Sequence, residues 1–328
     1  MPTANSSSVL ISTIPKLKDF VSTISASSTL YVDLEGKSLG RYRGTICIIS
    51  ILVYPEQVVR LVDVTTLGKA AFSTTGTNGK TIKSILEDSS IVKCIWDCHN
   101  DAAALLALYQ ISINGVSDIQ LLENATRAGN KSHFCGLAKA IETDLKLKHT
   151  DRALWTATKN AVTAKMSTNV FAKRPMDDET VRYCVNDLVH LPALRALYLS
   201  RLEGGWAAQV EDATKNRLRK AQSSRYKPQS EDKRFGPFLQ PFRNRKSTVA
   251  LKSKKNPNDL LRKPRLCSSS QKKPSISTGM PGVYSQPRNA SRKFCSYQIS
   301  RTNNKIFSRQ TFANMSMLVR EMLRKVVK

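Results

Sequence analysis

Three places in the sequence set acidic side chains where they could hold a hard cation. The first is Tyr31-Val32-Asp33-Leu34-Glu35-Gly36, with the apolar run Thr45–Tyr54 close behind it. Residues two apart on a strand share a face, so Asp33 and Glu35 project together from an otherwise apolar segment. Paired carboxylates in a core repel each other and lose hydration, which is costly unless a cation lies between them. An all-oxygen site of that kind takes a divalent metal such as Mg²⁺ or Mn²⁺. The second place is Asp97-Cys98-His99-Asn100-Asp101, where an apolar strand runs into a helix; strand ends commonly carry active-site groups. The third is Tyr183-Cys184-Val185-Asn186-Asp187, whose spacing of four sets Tyr183 and Asp187 one turn apart on a helix face. Each alone has a plainer reading: an edge pair for Asp33 and Glu35, an N-cap for Asp101, a surface acid for Asp187. Their concurrence in one chain favours a shared site.

The elements that must position these residues follow from periodicity. A short helix is expected over 14–24, opened by Pro15. Three β-rich runs, Thr29–Leu34, Gly44–Tyr54 and Val58–Val64, are separated by only a few residues and predict an antiparallel meander. Helix is expected over Thr81–Glu87, strand over Ile91–Trp96 and an Ala/Leu-rich helix over Asn100–Tyr109. Val116–Ala125 reads as a short strand with a helical end. Phe134–Leu145, Ala153–Lys165 and a long Asp178–Arg201 read as helices, the last favoured by acids at its start. The fold class is therefore α/β, a mixed sheet flanked by helices.

The charge is unevenly spread. Residues 1–200 carry 22 Lys and Arg against 18 Asp and Glu, and residues 201–328 carry 30 against 7, which yields the net +27. Apolar periodicity also fails in the last third, so two domains of one kind are excluded. The expected organisation is a folded unit over 13–205 and a basic, low-complexity tail over 206–328, largely disordered. Arg243, Arg245, Lys246, Lys252, Lys254 and Lys255 head its clusters. Such an arm neutralises phosphates, with salt-sensitive and sequence-independent affinity for nucleic acid, and the same clusters fit a split nuclear-localisation signal. The last stretch, Ala313–Lys328, spaces Met315, Leu318, Met322 and Val326 as an amphipathic helix. Seven irregularly spaced cysteines suggest free thiols in a reducing compartment. Cys94, Cys98 and His99 lack a second ligand pair at zinc spacing. No basic-then-apolar leader opens the sequence and no run approaches the roughly 18 apolar residues of a membrane span, so an intracellular protein is expected, away from membranes.

As a set, the three acidic segments resemble the motifs of the DEDD 3′–5′ exonucleases, the DnaQ-like or RNase D-like superfamily with a ribonuclease H-like fold. Asp33-x-Glu35 is similar to the first motif, Asp101 to the second and Tyr183-x-x-x-Asp187 to the third, where tyrosine marks the DEDDy branch. Of the two acids in the second motif, Asp101 matches the spacing to the helix. Arg174-Pro175 ahead of the third motif agrees. Leu121-Leu122-Glu123-Asn124-Ala125 and Phe134-Cys135-Gly136-Leu137-Ala138 resemble a eukaryotic subgroup related to Egalitarian and to fungal exonuclease-domain proteins. The resemblance covers residues 13–203 and has no counterpart for the tail. It implies two Mg²⁺ or Mn²⁺ ions held by Asp33, Glu35, Asp101 and Asp187, with Tyr183 orienting the attacking water. The implied substrate is a nucleic acid, RNA or DNA, with a free 3′ end, from which nucleoside 5′-monophosphates are released. Some relatives with this fold are non-catalytic adaptors; these tend to lose acids, whereas here all four and the tyrosine are present.

One rival motif stands apart. Gly76-Thr77-Asn78-Gly79-Lys80-Thr81 matches the phosphate loop of Mur ligases and folylpolyglutamate synthases. A loop of that kind needs a buried strand directly before it and a helix directly after, and Lys69–Thr75 is a poor buried strand. The plainer expectation is a Gly/Asn turn before a helix.

Overall fold

A computed structural model of the chain describes residues 9–40 and 43–238. Strand β1 (Leu10–Ile11) leads into helix α1 (Ile14–Ser22), with Pro15 in the first turn, where a missing N–H costs nothing. Strands β2 (Thr29–Glu35), β3 (Ile48–Tyr54) and β4 (Val58–Asp63) then form the expected antiparallel meander. Three short helices, α2 (Val64–Leu67), α3 (Ala70–Ser73) and α4 (Ile82–Glu87), lead to β5 (Val92–Ile95) and α5 (His99–Tyr109). Strand β6 (Val116–Asp118) passes directly into α6 (Ile119–Thr126), as the mixed pattern there predicts. Helices α7 (Leu137–Asp144), α8 (His149–Lys165), α9 (Asp178–Val189), α10 (Leu191–Arg201) and α11 (Trp206–Ala221) complete the described chain.

The strands lie in the order β1-β4-β3-β2-β5-β6, antiparallel within the meander and parallel where β1, β5 and β6 join it. Alternation along β2 and β3 feeds two cores. Leu30, Val32, Leu34, Ile49, Ile51 and Val53 face α1, α3, α4 and α5. Tyr31, Ile48 and Leu52 face the other way, onto Leu121 of α6, Cys184 and Leu188 of α9 and Leu194 of α10. Burial on both sides explains why Ile46–Val53 reads as a nearly continuous apolar run. Asp33 and Glu35 share the Tyr31 face and so meet α9.

Two expectations are corrected. The long helix over Asp178–Arg201 is two helices joined at His190, because Pro192 can occupy a first turn but cannot continue a helix. The folded unit also runs past residue 205. Val210, Thr214, Arg217 and Ala221 form a stripe at helical spacing, buried as α11 packs on α5 and α6. Basic composition hid that stripe. The tail from residue 239 onward, with Arg243, Arg245, Lys246, Lys252, Lys254, Lys255 and the amphipathic stretch at Ala313–Lys328, lies outside the described residues.

The Gly76–Thr81 loop follows a helix and not a strand, and its polar groups are used locally. The Asn78 amide donates to the carbonyls of Val21 and Ile24 at 2.9 and 3.1 Å, closing the end of α1. The Thr77 N–H donates to Ser22 Oγ at 2.7 Å, and Lys80 pairs with Asp88 at 3.6 Å. It joins α1 to α4. Cys47, Cys94, Cys98, Cys135 and Cys184 are free thiols, as expected.

A buried clamp fixes the approach to α9. Arg174 reaches back to Asp63 at the end of β4, its Nε donating to Oδ2 at 2.7 Å and its Nη2 to Oδ1 at 2.5 Å. Asp63 is fully buried, and although burial raises its pKa, the bonds from Arg174 and Thr66 outweigh that and hold the carboxyl below its usual value. Removing the cation leaves a buried charge held by Thr66 alone, with no counter-charge, which costs about 3–5 kcal/mol. Arg174→Met is expected to lose that much stability in urea unfolding at neutral pH; a loss under about 1 kcal/mol would refute the clamp.

Candidate active site

Strand β2 presents Asp33 opposite Ser50 of β3 and Glu35 opposite Ile48. Helix α9 crosses that face, and its start is fixed by the Asp177 side chain, which accepts from the Thr180 N–H at 2.9 Å. Its buried stripe brings Tyr183, Cys184 and Asp187 down onto the strand. One carboxylate oxygen from each of Asp33, Glu35 and Asp187 lies within 4.8 Å of the others. Glu35 and Asp187 are buried and Asp33 is partly open to solvent. Among the described residues this is the one cluster spaced to hold a metal; Cys94, Cys98 and His99 form none.

The cluster is electrostatically costly. Burial, and then the charge of Asp187, push the Asp33 carboxyl up to about 7. Burial with Asp33 and Asp187 nearby lifts Glu35 well above the ordinary range. Burial also raises Asp187, with Lys159 pulling against it. Asp187 Oδ2 accepts from Lys159 Nζ at 2.5 Å, while its Oδ1 is buried with no hydrogen-bond partner among the described residues. Lys159 comes from α8, where its ammonium also stands 4.5 Å from the centre of the Tyr183 ring. Sequence reasoning missed this lysine, since nothing in its spacing within α8 points toward the acids.

The second motif sorts its two acids by environment. Asp97 has φ +62°, a left-handed turn between β5 and α5 that Asp tolerates better than most side chains. Burial opposes its ionisation, but the hydrogen bond from His99 and the charge of Arg217 prevail and bring it down to about 2. Asp101 sits buried on the first turn of α5, outside the 4.8 Å group. Burial, with Asp33 the foremost neighbouring charge, holds it well above the usual carboxylate range. Asp97 is thus committed to its turn, whereas Asp101, outside the group of three, still feels the charge of Asp33.

Residues 9–198 match the family model described as 3′–5′ exonuclease. The chain belongs to that family. Among solved structures, this exonuclease domain is similar to Trypanosoma brucei RNase D in complex with GMP. The TM-score is 0.54 at 21% identity, over 66% of this chain and 64% of that one. The same protein in complex with RNA U12 compares at 0.51 and 22%, over 69% and 76%. The chain therefore spans just under two thirds of the first of these structures. No curated protein matches its sequence. The ribonuclease H-like fold expected from the motifs is the one found.

The exonuclease domain fits a divalent metal. Its three grouped donors are hard oxygens, and the buried Oδ1 of Asp187 has no well-formed hydrogen bond among the described residues, although the Tyr183 hydroxyl is near enough to favour the ionised carboxylate. Without metal, an acid such as Asp33, with a folded pKa of about 7 against roughly 4 unfolded, retains its proton in the folded state. Its contribution to stability therefore falls as pH rises from about 4 through 7. Metal binding requires the ionised form and reverses that penalty. Mn²⁺ at one fixed concentration, a hundred times its dissociation constant at pH 8, is expected to raise the melting temperature by roughly 5–10 °C at pH 8 and by much less at pH 5.5. Asp187→Asn should abolish the difference, and equal shifts at both pH values would refute the assignment.

Proposed function

We propose that the protein is a metal-dependent 3′–5′ exonuclease that releases nucleoside 5′-monophosphates from a nucleic acid with a free 3′ end. The observation that carries this reading is the convergence of Asp33, Glu35 and Asp187, from a strand and a helix far apart in sequence, around an unpartnered buried oxygen. Gathering such charges is expensive, and a bound cation is what offsets it.

In this reading Asp33, Glu35 and Asp187 hold divalent metal, with Asp101 completing the set beside Asp33. Divalent metals in such sites supply Lewis-acid stabilisation of phosphate oxygens and lower the pKa of water. Tyr183 keeps its proton, because burial and the charges of Glu35 and Asp187 push its pKa up. It therefore donates a hydrogen bond, to the attacking water or to a phosphate oxygen, and does not serve as a base. Lys159 steadies both Asp187 and the Tyr183 ring. Water oxygen bonds to phosphorus at the terminal phosphodiester, the bond from phosphorus to the 3′ oxygen breaks, and that oxygen takes a proton. The products are a nucleoside 5′-monophosphate and a chain shortened by one residue, again ending in 3′-OH. The partly exposed Asp33 marks the side from which the 3′ end arrives.

Lys159 supports a second reading, a nucleic-acid-binding adaptor of the same fold, since its ammonium already balances one acid without metal. Digestion of 5′-labelled and 3′-labelled single-stranded RNA and DNA with Mg²⁺, Mn²⁺ or EDTA separates the two. The enzyme shortens the 5′-labelled strand progressively from its 3′ end, EDTA stops it, and Asp33→Ala or Asp187→Ala lowers the rate by about 10³-fold, some 4 kcal/mol of transition-state stabilisation. Salt-sensitive binding with no cleavage of any of these substrates identifies the adaptor.

A further inference from the structure

The family match ends at residue 198, yet the chain beyond it returns to the second acidic motif. Cys98 at the N-cap of α5 supplies no side-chain cap, and Asp97 accepts from the His99 N–H at a long 3.4 Å, so the turn bearing Asp101 draws further support from outside it. Two tethers supply it, and both run to residues after 205. In the first, the Cys98 N–H donates to Asp118 Oδ2 at 3.0 Å, and that carboxylate is paired at 2.7 Å with Arg217 of α11. Arg217 also stands 3.5 Å from Asp97 and 4.5 Å from the Phe134 ring.

The second tether lies past α11. The Tyr226 hydroxyl donates to Asn100 Oδ1 at 2.6 Å, and Lys233 Nζ donates to the same oxygen at 2.8 Å and to the Tyr226 oxygen at 3.1 Å. The Tyr226 ring stacks against His99 with centroids 6.5 Å apart. Its edge also meets the loop after β2: a Cβ on Gly40, at φ +77°, would lie 3.3 Å from Tyr226 and 3.1 Å from Asn100 Oδ1. The loop that leaves Asp33 and Glu35, the turn that carries Asp101 and the C-terminal segment therefore close on one point. Asn100 immediately precedes Asp101, so fixing its side chain fixes the turn.

We propose that residues 206–238 form part of the active centre, with Tyr226 and Lys233 as positioning residues that lock Asn100 and so keep Asp101 in place beside Asp33. This deepens the exonuclease reading and rests on it. Neither residue touches the three grouped acids; they act through the first turn of α5. A role confined to packing would lower thermal stability and leave metal affinity and the chemical step alone. Positioning does the reverse.

The test uses the full chain carrying Tyr226→Phe, Lys233→Met, both together, and Lys233→Arg. Removal of such indirect support for a metal site typically costs 10–100-fold. In the double variant kcat is expected to fall by about that factor with KM within about threefold, and the calorimetric dissociation constant for Mn²⁺ to rise by about tenfold. The melting temperature should change little, and Lys233→Arg should recover most of the loss because it keeps a cationic donor. Wild-type kcat and Mn²⁺ affinity in the double variant would overturn the proposal, as would a lowered melting temperature with both unchanged. A rise in KM alone would also overturn it, by making Lys233 a substrate contact. Should the double variant fail to fold, Tyr226→Phe, which removes one oxygen, decides by the same measures. A wild-type protein that binds Mn²⁺ but cleaves nothing sinks the exonuclease reading, and the Mn²⁺ affinities of the variants still decide the positioning role. A wild type that neither cleaves nor binds Mn²⁺ overturns both.

Discussion

The repulsion among carboxylates on one buried face of the sheet is the constraint around which the domain is built. Asp33 and Glu35 come from a strand, Asp187 from a helix laid across it and Asp101 from a turn at the far side of β2. Each would ionise readily in water. Out of water, and then beside one another, their carboxyls are held above the ordinary range. A fold that tolerates this must spend apolar packing to do so, and the packing is there: both faces of the central strands are covered, and on the face turned away from the acids Leu30, Val32, Leu34, Ile49, Ile51 and Val53 are all apolar.

Cations around the cluster are placed by the same logic. Three cations tie the surrounding elements together: Arg174 with Asp63, Lys159 with Asp187, and Arg217 with Asp118 and Asp97. The first and third pair acids at strand ends, and so hold the approach to α9 and the turn into α5. Only the second reaches the acidic group itself, and it leaves one Asp187 oxygen without a donor. The arrangement rigidifies the frame while keeping the centre short of positive charge.

What could be read in the sequence was what is local. Alternation along Tyr31–Glu35 placed two acids on one face, and a spacing of four placed Tyr183 and Asp187 on another, because strand and helix periods are fixed by backbone geometry. The meander was legible for the same reason, its short connections permitting little else. Lys159 was not legible, since its meeting with Asp187 depends on how α8 and α9 pack. Helix α11 was overlooked because Lys215, Arg217, Arg219 and Lys220 crowd its second half, although Val210, Thr214 and Ala221 keep helical spacing through the charges. Arg217 is the instructive case: it looked like one more unit of basic tail and lies almost wholly buried against two acids. The break at His190 was visible in Pro192, but the continuous apolar pattern on either side of it outweighed a single residue.

The closure of the C-terminal segment on Asn100 has a consequence for how the protein is made. The strand bearing the first two acids leaves the ribosome early, while Lys233, which bonds to Asn100, follows nearly two hundred residues later. At about 5–20 residues per second, roughly 10–40 s of synthesis separate them. The sheet can assemble during that interval, and the bond from Cys98 to Asp118 with it, but the bonds of Tyr226 and Lys233 to Asn100 form only later. The acidic group therefore closes once α9 has emerged, and the contacts of Tyr226 and Lys233 with Asn100 are added afterwards, over a core already built.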